Sequence, residues 1–144
     1  MNIIVDTNIV FSALLTSNSR IGDLLMDSRS CYKFYSCKYL QKELYRHLPK
    51  AQKHSKLNNE QLFELLSLLE SRIFFIDEAL LPRAAMLEAK VLVEDIDFDD
   101  LPFVALTNHL KGLLWTGDMV LINGLRSKGY KSLITTSELP ALRY

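Results

Sequence analysis

Hydrophobic and polar positions alternate along this chain in two rhythms. Short apolar runs of three to six residues read as buried strands, and the stretches between them repeat near 3.6 and read as helices. The pattern predicts a strand at 2–5, then helices at 7–15 and 20–28. A second strand spans Tyr32 to Cys37, where Phe34 and Tyr35 supply the aromatic content that pleated surfaces favour. A helix from Leu40 to Leu48 is expected to break at Pro49, and Asn58 or Asn59 caps the next, over 60–71.

The run IFFI at 73–76 is a third strand, and Pro82 suits the start of a helix reaching Val93. An acidic loop, VEDIDFDD, leads into a helix whose first turn holds Pro102. LLWT at 113–116 and SLIT at 132–135 read as strands, with a helix from Met119 to Ser127 between them. Strands alternating with helices imply βαβ units, hence an α/β fold with a mainly parallel sheet covered on both faces.

With 144 residues, five Gly and four Pro, and neither repeat nor low-complexity tract, the expectation is one domain over 1–144. Composition changes little: 49% apolar and 24% charged residues are ordinary for a globular chain. Lys plus Arg equals Asp plus Glu at 17 each, so no strongly basic balance advertises a nucleic-acid partner. An acidic cluster that collects metal would nevertheless leave the remaining surface net positive. No leader pattern and no window of membrane-span length is found, which together with two cysteines suggests a cytoplasmic protein. Cys31 and Cys37 flank a strand, and extended chain holds them too far apart to bridge.

The candidate chemistry lies where strands end. In parallel sheets the ligand crevice sits at the carboxyl ends of the strands. Asp6 follows the first strand, Glu43 lies on the helix after the second, Asp100 opens the helix at DDLPFVAL, and Asp118 follows the fourth strand. Each has a plain structural alternative. Asp6, Asp100 and Asp118 suit helix starts, and Glu43 has His47 one turn on as a partner. Asp95, Asp97 and Asp99 read as solvated loop residues, any one of which could assist a metal through water. As a set, however, clustered carboxylates repel one another, and a hard divalent cation such as Mg²⁺ or Mn²⁺ removes that cost.

Competing chemistries find no support. His47, His54 and His109 are scattered, away from zinc spacing. Neither GxGxxG nor GxxxxGK[ST] occurs, and no nucleophile elbow is present. A haloacid-dehalogenase-like phosphatase resembles DxDx[TV], but Asn8 stands where its second Asp belongs.

Four pieces, IIVDTNIVFSAL, the acid in LQKEL, DFDDLPFVALTNHLKG and LLWTGDMVLI, together resemble the PIN-domain nucleases, which include VapC-type toxins of bacterial toxin–antitoxin pairs. The resemblance implies a three-layer α/β/α sandwich and metal-dependent hydrolysis of RNA phosphodiester bonds. It makes Asp6, Glu43, Asp100 and Asp118 a catalytic and metal-binding quartet for one or two Mg²⁺ or Mn²⁺ ions. Thr116 and Asn8 take supporting positions. The register of PFVAL selects Asp100 over Asp99, and TNHL replaces the Ala-rich sequence that often follows the third acid.

Lys42, Arg46, Lys50 and Lys53 begin a basic run that either tracks RNA phosphates or is a solvated helix face. The first two helices carry more apolar surface than one buried face needs, so an antitoxin segment or a second copy of the chain is a candidate partner. The alternatives to a toxin ribonuclease are a housekeeping PIN nuclease acting on precursor rRNA or tRNA, and a non-catalytic RNA-binding domain of the same fold.

Overall fold

The structure, a computed structural model, describes residues 1–16, 20–27 and 31–143. Among these, five strands form one sheet: β1 (Asn2–Val5), β2 (Lys33–Cys37), β3 (Ile73–Ile76), β4 (Leu113–Trp115) and β5 (Leu133–Ile134). Their order is β3-β2-β1-β4-β5 and every pairing is parallel. β1 is the central strand, and Ile3, Ile4 and Val5 are fully buried on it. A strand shielded on both faces has no reason to alternate, which is why IIV is continuous.

Among the described residues seven α-helices connect the strands: α1 (Thr7–Leu15), α2 (Arg20–Met26), α3 (Lys38–His54), α4 (Asn59–Glu70), α5 (Arg83–Val93), α6 (Leu101–Leu110) and α7 (Met119–Ser127). α1 packs against α2, α3 and α4, and α5 packs against α6 and α7, while α6 lies over β1, β2 and β4. These two groups are the outer layers of an α/β/α sandwich. Trp115 and Phe103 are the largest fully buried side chains, and the Trp115 ring lies 5.9 Å from that of Phe34.

Most predicted elements are present with ends shifted by a residue or two. The predicted end of the second helix, Ser28, lies outside the described residues. The expected break at Pro49 is not found, because α3 runs through it to His54. Leu44, Leu48 and Ala51 pin both sides of the proline to the core, while Pro49 itself is exposed. Water can then take the carbonyl that lost its amide partner, and packing outweighs the local penalty. Asn58, rather than Asn59, caps α4 through a reciprocal capping box with Gln61. Cys31 is exposed, Cys37 is buried, and both thiols are free. No helix among the described residues is long and apolar enough to cross a membrane.

The topology singles out one place. From β1 the chain winds outward through β2 to β3, then returns to the other side of β1 to build β4 and β5. The connections on either side of β1 therefore leave in opposite directions, and a crevice opens at the carboxyl ends of β1 and β4.

Candidate metal and active site at the carboxyl edge of the sheet

Asp6 stands in that crevice. It is the first residue after β1, only 4% exposed, and its amide donates to Trp115 O of β4 at 3.1 Å. Both carboxylate oxygens are engaged. Oδ1 accepts from Thr7 N at 2.8 Å, and Oδ2 accepts from Asn8 Nδ2 at 2.9 Å and Thr116 Oγ1 at 2.7 Å. Asp6 is thus the N-cap of α1 and the floor of a pocket at once.

Thr116 is the hub beneath it. Its hydroxyl donates to Asp6 and accepts from Asp118 N at 3.1 Å and Asn8 Nδ2 at 3.3 Å, which uses its one proton and both lone pairs. Asn8 Oδ1 in turn accepts from Gly117 N at 3.1 Å. The segments DTN and WTGD are therefore cross-braced through two side chains. Asp118 then caps α7, accepting from Val120 N at 3.0 Å and Leu121 N at 3.3 Å.

Glu43 comes in from α3. Its Oε1 accepts from Thr7 Oγ1 at 2.7 Å, while His47, one turn on, faces the Phe11 ring. Asp100 ends a 3-10 turn over Phe98–Asp100 and occupies the N-cap position of α6 without a capping bond from its side chain. It is 8% exposed, and its Oδ2 is buried with no hydrogen-bond partner.

These four acids line one pocket of about 300 Å³, together with Thr7, Asn8, Phe11, His47, Lys50, Asp97 and Asp99. The electrostatic consequences follow from crowding in a half-dry space. Burial pushes the Asp6 carboxyl up to about 6 against the bonds from Thr116 and Thr7, with added repulsion from Glu43 and Asp118. Asp100 is pushed up to about 8, first by burial and then by the negative charge of Asp6, Asp97, Asp118 and Glu43. Glu43 is raised too, chiefly by burial, with the Thr7 bond opposing and Asp99 adding.

Such a donor set fits a hard divalent cation. All the oxygens are carboxylate or hydroxyl, and the unpartnered buried Oδ2 of Asp100 is what a ligand awaiting a cation looks like. Among the described residues no three His, Cys, Asp or Glu groups lie close enough together to hold an ion as they stand.

The structure brings together all four acids singled out from sequence, with Asn8 and Thr116 as their braces. Of the four basic candidates, Lys50 lines the pocket, whereas Lys42, Arg46 and Lys53 do not. Asp97 and Asp99 are exposed, as read from sequence, and also line it. Asp97 accepts from Asp99 N at 3.0 Å to cap the 3-10 turn, and Asp99 Oδ1 accepts from Tyr39 Oη at 2.9 Å. Sequence reasoning also missed Thr7 and Phe11. Their signal was present, since Phe11 lies four residues after Thr7 and shares its helical face.

The sequence model of the PIN domain matches residues 4–138. A search of curated proteins finds no match. Among solved structures, the chain is similar to one described as VapBC2 from Rickettsia felis bound to a DNA fragment from their promoter. The two share 20% identity over 94% of this chain and 97% of that one, with a TM-score of 0.67. At that identity the likeness concerns the fold, and it agrees with the five-stranded parallel sheet and its two helical layers. With the family model spanning nearly all of the sequence and including each acid of the pocket, the chain belongs to the PIN domain family, whose members are generally nucleases.

Proposed function

We propose that the chain, as one nuclease unit over 1–144, is a metal-dependent ribonuclease and the toxin of a toxin–antitoxin pair. The observation that carries this reading is the convergence of Asp6, Glu43, Asp100 and Asp118 on one pocket, with a buried oxygen of Asp100 left unpaired. Asp6, Glu43, Asp100 and Asp118 would hold Mg²⁺ or Mn²⁺, one or two ions. A bound divalent ion supplies a more acidic water and charge neutralisation at a phosphodiester.

The chain's own residues set the rest. Thr116 and Asn8 hold Asp6 in one orientation, and Thr7 holds Glu43. Asp118 is fixed by the α7 amides, so three of the four acids are positioned before any substrate arrives. Lys50, at the pocket's edge, offsets part of the acidic field that an RNA backbone must pass. The toxin assignment draws on the likeness to VapBC2, which is bound to a DNA fragment from their promoter. By that analogy the partner is an antitoxin protein, in the cytoplasm, and by the likeness to PIN-domain nucleases the substrate is RNA.

The test is cleavage of total cellular RNA by the purified protein with Mn²⁺, with EDTA, and with a folded Asp6→Asn variant. Cleavage that needs the ion and disappears in Asp6→Asn supports the reading. Equal cleavage by both proteins overturns it.

A further inference from the structure

The acids occupy one wall of the pocket, and the wall that continues from them is of another kind. α1 and α3 lie side by side and make contact in successive rungs. The first rung is the 2.7 Å bond from Thr7 to Glu43. The next, four residues on along both helices, is the pair Phe11 and His47, whose ring centroids are 6.4 Å apart with planes at 73°. Lys50 follows three residues after His47 and lines the same pocket. His47 and Lys50 are exposed, and Phe11 is half-buried against the core.

We propose that the Phe11–His47 corner is a base-stacking subsite. It would receive the unpaired base flanking the scissile phosphodiester, while Lys50 contacts the next phosphate. The inference rests on the nuclease reading for the position of the scissile bond, although the binding it describes does not need cleavage. Three observations carry it. The two rings meet at a steep angle, so a base stacked on the free face of one turns its edge toward the other. The rung lies one helical turn from the acids, about 5.4 Å, a step comparable to one nucleotide of an extended strand. Lys50 then supplies a cation at the far end of an otherwise acidic pocket, where a backbone leaving the acids would need one.

The geometry also selects the kind of substrate. A base within a duplex has both faces covered by its neighbours, so stacking at the corner calls for an unpaired, unstacked base of a single strand.

The test is binding of a 12-nucleotide single-stranded oligoribonucleotide carrying 2-aminopurine, with Ca²⁺ present, compared with its 12-base-pair duplex. The single strand is expected to bind at least about tenfold more tightly, with 2-aminopurine fluorescence quenched at one position by stacking. His47→Ala should weaken binding about tenfold and relieve the quench, and His47→Phe should restore both. Lys50→Ala should weaken binding about fivefold, leave the quench, and lower the salt slope by about one phosphate contact. Both side chains are exposed, so folding is not at risk. Equal affinity for strand and duplex, no binding, or His47→Ala matching the wild type in affinity and quench would overturn the subsite. Failure of the two readings is separable. Metal-dependent cleavage with an unaffected His47→Ala removes only the subsite. The expected binding without cleavage removes only the catalytic reading.

Discussion

Thr7 donates a 2.7 Å hydrogen bond to Glu43, joining the first residue of α1 to the second turn of α3. Thr7 also gives its amide to Asp6, so one residue sets the spacing between two of the four acids. Thr7→Val keeps the shape and removes the hydroxyl. The expected result is a fall in kcat/KM of about tenfold to a hundredfold from a misplaced carboxylate, for a stability loss of only about 1 kcal/mol. RNA cleavage beside a urea melt checks both halves.

Thr116 carries a heavier structural charge. It is fully buried and satisfies Asp6 Oδ2 while accepting from Asp118 N and Asn8 Nδ2. Thr116→Val should cost about 2–3 kcal/mol, because it leaves buried polar groups unpaired, and Thr116→Ser should recover most of that. The readout is the denaturation midpoint at constant m-value.

The crowded acids make the metal-free protein sensitive to alkali. In the unfolded chain Asp6 and Asp100 titrate at the ordinary aspartate value of 3.8, and in the folded chain they are pushed up to about 6 and about 8. Between those limits the folded state binds more protons than the unfolded state. Their contribution is therefore full below the unfolded value and is lost as pH rises through each folded value. Metal-free wild type is expected to melt lower at about pH 8 than at about pH 5 by this route. Asp100→Asn, uncharged throughout, should gain on the wild type over the same interval. Adding Mn²⁺ should raise the wild-type melting temperature more at the higher pH and do little for Asp100→Asn. Calorimetry at the two pH values, with EDTA and with Mn²⁺, reads all three.

Gly112 is where α6 hands over to β4, and it lies hard against β1. A Cβ there would sit 2.4 Å from Asn2 O and 2.6 Å from Ile4 Cδ1. Backbone cannot yield as a side-chain tip does. Gly112→Ala should therefore destabilise by about 1–3 kcal/mol or more, by pushing β4 off β1 and moving Thr116 away from Asp6. A parallel loss of activity, measured well below the melting temperature, would tie the sheet register to the site.

Much of this protein was legible in its sequence, because a parallel sheet announces itself locally. Continuous apolar runs such as IIV and LLW, separated by helical spacing, can satisfy their backbone only as buried strands and their covering helices. The strand-end positions of Asp6 and Asp118 follow from the same local reading, since the carboxyl edge is where a parallel sheet keeps its polar residues. Pro49 marks where local reasoning failed: its penalty is a property of the residue, whereas the burial of Leu48 and Ala51 that overrides it is a property of the whole core.

Only the tertiary structure decided what each acid touches. Glu43 had His47 within reach along its own helix, yet it binds Thr7, because α1 and α3 pack side by side and bring residues 36 apart in sequence into contact. Asp97 and Asp99 are exposed, as solvated loop residues should be, yet the turn that carries them also faces them into the pocket. Hydrophobic periodicity specifies which face of an element is buried. It does not specify which polar group on a neighbouring element that face will bring opposite, since that depends on strand order and on how helices pack across it, relations that no local window contains.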